Sequence, residues 1–174
     1  MPFVEATSSH LYFLYRQGRI YINDLDPTIH GRCSSRIMQW KLIVDFGLVI
    51  LIWMTQLVVY PSFTHYAAND LIGWHGRYTT AISIIVMPLM LLQVGLHGWQ
   101  LINDFSWIGL GAAVLIGLAW ANTFFFAVPL HNQIAAERNV LEAAASLVRV
   151  NWFRTVVWSL VFLLGLLRMP APAR

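Results

Sequence analysis

Charge is what this sequence has least of. Only 11% of its 174 residues are Asp, Glu, Lys or Arg, 58% are hydrophobic, and the mean hydropathy is +0.62. A soluble domain carries roughly a quarter charged residues, so this chain has too few to cover a water-facing surface. Cysteine is nearly missing as well. The lone Cys33 excludes an intrachain disulfide, a cysteine-based zinc site and a CxxC redox pair, and reads as a free buried or interfacial thiol. There is no basic cluster either. Lys and Arg give a formal charge of +3 but are scattered, so the balance reads as membrane orientation and excludes a nucleic-acid partner. The first forty residues contain one apolar run, Leu11-Tyr12-Phe13-Leu14-Tyr15, too short for the core of a cleavable leader. The first membrane span is therefore expected to act as an uncleaved anchor.

What is present is four long apolar stretches. Crossing the hydrocarbon takes about twenty apolar residues in a helix. The spacing predicts spans at about 42–60, closed by Pro61 and capped by Ser34 or Ser35; 77–96; 107–128, closed by Pro129; and 145–168. The last begins near Leu141 in polar surroundings and is continuously apolar from Thr155 to Leu167. Short connections make sequential helices antiparallel neighbours. The expectation is an all-α, up-down-up-down integral membrane four-helix bundle in one domain, residues 41–169, with an arm at 1–40 and a tail at 170–174. Gly109, Gly111, Ala112, Ala113 and Gly117 give the third helix small residues for close packing, and Pro88 should kink the second. Trp40, Trp53, Trp74, Trp99, Trp107 and Trp152 read as an interfacial belt.

Positive charge sets the orientation. Arg16, Arg19, Arg32, Arg36, Lys41, Arg168 and Arg174 fall on one side; Arg77, Arg138, Arg149 and Arg154 fall on the other or a turn inside it. That bias predicts both termini in the cytoplasm of a cell whose inner membrane holds the bundle. The arm is different material. Residues 11–22 read as two short strands around Gly18 or as an interfacial helix, and Asp26-Pro27-Thr28 as a turn or helix start. An isolated hairpin is not stable alone, so the arm needs the bilayer, the bundle or a partner membrane subunit to lie against.

Polar residues inside spans are the informative ones, because a charge near the bilayer centre costs about 2.5–3.5 kcal/mol even on a lenient scale. Asp45, four residues after Lys41, is expected to pair with it across one helical turn. More polar residues gather at the outer end. His65, Asp70 and His75 lie in the first outer connection, with Tyr78 and Thr79 on the helical face of His75. The third helix brings Asn122 inward and ends in Val128-Pro129-Leu130-His131-Asn132. The fourth carries Asn151, Arg154, Thr155 and Trp158 on one face. These residues form an interhelical hydrogen-bond network or a ligand pocket facing the outer leaflet. The histidine spacings match no zinc signature, so no metal is assigned.

The segments Tyr60-Pro61, His75-Gly76-Arg77-Tyr78-Thr79, Val128-Pro129-Leu130-His131-Asn132 and Asn151-Trp152-Phe153-Arg154-Thr155, with Trp158 beyond, resemble the anthrone-oxygenase-like family of small four-helix membrane proteins over about residues 42–168. The resemblance implies a membrane-embedded oxidoreductase or ligand-binding scaffold, since some members are linked to oxidation of anthrones to anthraquinones without an obvious bound cofactor. It carries over His75, Tyr78, His131, Asn151 and Arg154. The arm departs from the family pattern.

Two functions follow. In one, a flat apolar molecule from the lipid, a quinone or polycyclic phenol, loses a proton to His75 or His131. Arg154 and Asn151 then hold the oxyanion, while Tyr78, Asn122 and Trp158 line its site. In the other, the protein is a non-catalytic accessory subunit of a respiratory or photosynthetic membrane complex. It then docks through residues 1–40 and its lipid-facing aromatics, and its polar cluster is structural.

Overall fold

A computed structural model describes residues 27–168, with side chains from Ser35 onward. The strands or interfacial helix expected within 11–22, and the tail at 170–174, lie outside the described residues. The described chain is helical and forms four long segments. We label them α1 (Pro27–Met54, continued by a wide π turn Thr55–Val59 and by Tyr60–Phe63), α2 (Ala68–Asn103), α3 (Trp107–Asn122, continued by a π turn Thr123–Ala127 and by Val128–Ala135) and α4 (Val140–Leu167). Each is long and apolar enough to cross a bilayer. Large side chains such as Ile84, Phe125 and Leu163 are exposed along them, a surface that only acyl chains or another apolar partner can cover.

The helices outrun their apolar stretches, because hydropathy marks the part in lipid and not the helix itself. α1 starts at Pro27, well before the expected start near 42. Proline suits a first helical position, where its missing N–H would be unpaired anyway. α2 has 36 residues and so measures about 54 Å, against a hydrocarbon core of about 30 Å, and both its ends must project. His75 consequently sits in α2 and not in the connection before it.

Pro61 and Pro129 do not close their helices as expected. A proline ring clashes with the carbonyl four residues back and cannot donate to it. Here a π turn precedes each proline and opens the helix: the Tyr60 N–H bonds Thr55 O, and the Val128 N–H bonds Thr123 O. Each proline then occupies the first turn of the next α segment, where its N–H is not required. Thr55 and Thr123 brace the two turns identically, each hydroxyl donating to the carbonyl four residues back (Leu51 O and Ala119 O) at 2.8 Å. The effect is to carry Tyr60 and His131 onward inside the bundle.

α3 packs most extensively on α4. Gly109, Ala112, Ile116 and Ala119 are its buried side. Gly111 and Gly117 face open space, so only part of the expected small-residue face is used for packing. Two apolar clusters form the core. One, around Phe63, Leu71, Ile134 and Leu147, fills the end bearing the α1–α2 and α3–α4 connections; the other, around Leu48, Ile52, Met90 and Trp158, fills the middle.

Candidate functional site: an intramembrane cavity beside Arg154

A chain of polar side chains crosses the first of these ends. It begins at Gln56, whose Nε2 donates to Val148 O (3.2 Å) and whose Oε1 accepts from Asn151 Nδ2 (2.9 Å). Asn151 Oδ1 accepts from Arg154 Nη2 at 2.5 Å. The same Nη2 donates to Tyr60 Oη at 3.3 Å, and Nη1 reaches Thr123 Oγ1 at 3.5 Å. Tyr60 Oη bonds His131 Nε2 (3.1 Å), and His131 Nδ1 bonds His75 Nε2 (2.8 Å). The imidazoles are clamped by rings: Phe63 stands edge-on to His75 and Tyr60 edge-on to His131. Gln56, His75, Asn151 and Arg154 are all buried.

Every acceptor of Arg154 is neutral. No carboxylate lies within ion-pair distance of it among the described residues, and its Nε is buried with no acceptor at all. A guanidinium that is 7% exposed in a bilayer-spanning helix without a counter-charge carries a desolvation cost that its hydrogen bonds to neutral acceptors offset only in part.

Next to it, between the two core clusters, lies a cavity of about 170 Å³. Ile52, Met90 and Trp158 bound it toward the middle of the bundle; Tyr60, Tyr78, His131 and Arg154 bound it on the polar side. Met87 and Phe124 also line it and are exposed on α2 and α3, so the cavity has a lateral rim facing lipid. Two of its lining indoles, Trp120 and Trp158, hold buried Nε1–H groups without acceptors. An apolar cavity of roughly 150 Å³ holds a benzene, so this one accommodates a single ring and not a fused tricycle.

The candidate residues thus divide. His75, His131, Asn151 and Arg154 are joined in one hydrogen-bonded chain. Tyr78, His131, Arg154 and Trp158 line the cavity, whereas His75 and Asn151 stand behind its wall. Asn122 is brought to neither: its Oδ1 is buried without a partner, away from the cavity lining. Three members were missed from sequence: Gln56, Tyr60 and Thr123. Gln56 and Tyr60, four apart on one face of α1, had the signal of polar atoms inside an apolar run, but Tyr60 also suited a helix-end anchor. His65 is exposed. No group of three His, Cys, Asp or Glu side chains able to hold a metal occurs among the described residues.

A second buried polar cluster occupies the opposite end. Asp45 does not pair with Lys41. It accepts from Gln93 Nε2 at 2.7 Å and from His97 Nε2 at 3.0 and 3.2 Å, while Lys41 Nζ donates to Gln100 Oε1 at 2.8 Å. Partners on α2 outcompete the same-helix pair because they reach the carboxylate from across the interface, where it is shielded from water. Leu48, Ile52 and Met90 seal this cluster from the cavity.

Fold and site together define an integral membrane four-helix bundle enclosing a ring-sized cavity beside an uncompensated arginine. No protein-family model, no curated protein and no solved structure matches the chain.

Proposed function

We propose that the protein binds, from the surrounding lipid, the ring of a phenol or quinone and holds its oxygen against Arg154. The observation that carries this reading is the buried guanidinium without a counter-charge at the wall of a ring-sized apolar cavity. A phenolate or a polarised carbonyl supplies the missing acceptor, and stabilising such an oxyanion is usually the largest catalytic term. Cavity volume limits the buried part to one ring, so a tail or further fused rings would extend past Met87 and Phe124 into the acyl region. For a hydroquinone, loss of a hydroxyl proton gives the electron-rich anion, which dioxygen would convert to the quinone with release of hydrogen peroxide. That is an oxidoreductase activity of the class the family resemblance implies, with no cofactor assigned. The test is fluorescence: a decyl-substituted benzoquinone added to the protein in nanodiscs should quench Trp120 and Trp158. A Met87→Trp substitution at the rim should weaken binding. Quenching that is equal in protein and in free indole, with no saturation, would contradict the reading.

The accessory-subunit reading keeps one observation in its favour. The apolar stretch of α2 is only 11% buried, against 39% in α1 and α4, which leaves a helix face free for a partner subunit. Co-purification in gentle detergent, lost on deleting residues 2–33, would support it. We further propose an inner-membrane location with both termini cytoplasmic, from the bias of Lys and Arg. A periplasm-dependent reporter should then be silent after Arg174 and active near Glu137.

A further inference from the structure

The hydrogen bonds around Tyr60 have a polarity. Arg154 has only donors, so the Tyr60 oxygen receives its N–H and the phenol proton is left to donate. Its acceptor is His131 Nε2, at 3.1 Å, and the Tyr78 hydroxyl also interacts with the Tyr60 oxygen from the cavity side. With Nε2 accepting, a neutral His131 carries its proton on Nδ1 and donates it to His75 Nε2. The order runs one way, from the cavity wall, where Tyr60 and His131 lie, to His75 behind it. His75 sits in the second turn of α2, flanked by exposed Trp74 and Gly76 and close to the α1–α2 connection. The edge-on and tilted ring contacts among Phe63, Tyr60, His131 and His75 restrict the freedom of these side chains.

We propose that Tyr60, His131 and His75 form a one-way proton relay from the bound ligand's hydroxyl to the connection end of the bundle, and that Tyr60, not a histidine, is the group that takes the proton. This inference rests on the cavity being the ligand site. In the step, the ligand O–H passes its proton to Tyr60 Oη as Tyr60 passes its own to His131 Nε2. His131 Nδ1–H passes to His75 Nε2. One proton has moved, no electron has, and the products are a ligand oxyanion held by Arg154 and an imidazolium at His75. Arg154 thus serves twice: it receives the oxyanion and it orients the phenol that removes the proton. His75 touches no ligand and acts as the terminal acceptor.

The test uses 4-nitrophenol bearing an alkyl tail, whose phenolate is coloured, bound to the full-length protein in nanodiscs. After a stopped-flow pH jump, the rate at which the bound phenol ionises reports the relay. Tyr60→Phe and His75→Gln should each slow it by about a hundredfold, the scale of a positioned acid–base group, while the final spectrum is still reached. Unchanged rates in both variants with the phenol bound would overturn the relay and leave the cavity reading standing. Failure of the phenol to bind the unaltered protein would overturn both. A measurement that needs no variant guards against misfolding. In mixed H₂O/D₂O the rate should depend on deuterium fraction with upward curvature of its isotope effect, as several protons move together. A linear dependence would overturn the relay.

Discussion

His75 and His131 come from helices whose sequence positions differ by 56 residues, and their facing nitrogens share one proton across 2.8 Å. Two N–H groups cannot point at each other, so at least one of those nitrogens must be bare. The pair therefore couples α2 to α3 only while one ring accepts from the other. Loss of either ring leaves the other's buried nitrogen without its partner.

The coupling is measurable. His75→Leu and His131→Leu should each lower the melting midpoint in detergent, and the double variant should cost less than their sum. The expected interaction energy is about 0.5–3 kcal/mol, the range for directly bonded neighbours. Additive losses would show that the two rings are merely adjacent.

At the other end, Asp45 neutralises a buried site that also contains Lys41 and receives bonds from Gln93 and His97. Asp45→Leu should destabilise the bundle by about 3–5 kcal/mol, the cost of stranding a buried charge, whereas Asp45→Asn should cost less because it retains an acceptor. Chemical or thermal unfolding in mixed micelles checks this. Equal, small losses would mean that water reaches the cluster.

The glycines of α3 separate packing from propensity. A Cβ at Gly109 would lie 3.0 Å from Ser106 Oγ and 3.1 Å from Arg168 Nη1, and so would disturb the α3 N-cap and the Arg168–Asp104 ion pair. At Gly111 and Gly117 it would meet nothing within 4 Å. Gly109→Ala should lose about 1 kcal/mol, the typical worth of such a cap, while Gly111→Ala should gain up to about 1 kcal/mol from helix propensity. Melting midpoints moving in the same direction for both would contradict the assignment of faces.

How much of this was legible in the sequence depended on whether a residue's partner was local. Four spans announced themselves as apolar runs, and Asn151, Arg154, Thr155 and Trp158 revealed their common face by spacing alone. Helix ends were less legible. Pro61 and Pro129 are stop signals in an α-helix, and nothing local says that a π turn will let each helix pass. Spacing alone offers Asp45 the Lys41 four residues before it, but its hydrogen-bond partners are Gln93 and His97, brought in by tertiary packing. Tyr60 illustrates the same limit. As a residue it suits an interfacial anchor; only the approach of α3 and α4 gives its hydroxyl Arg154 on one side and His131 on the other.

Arg154 carries the account, so the decisive measurement is ligand-induced thermal stabilisation of the protein and of Arg154→Met, with the alkyl-4-nitrophenol in its phenolate form. Without ligand, the variant should melt close to the unaltered protein, because removing an uncompensated charge offsets the loss of its bonds to Asn151, Tyr60 and Thr123. At a ligand concentration of a hundred times Kd, the unaltered protein should gain about 2.7 kcal/mol of stability. The variant should gain little or none at the same concentration. Equal gains in both proteins, or a large drop in the unliganded variant with no gain in either, would contradict the claim that this arginine waits for a ligand oxygen.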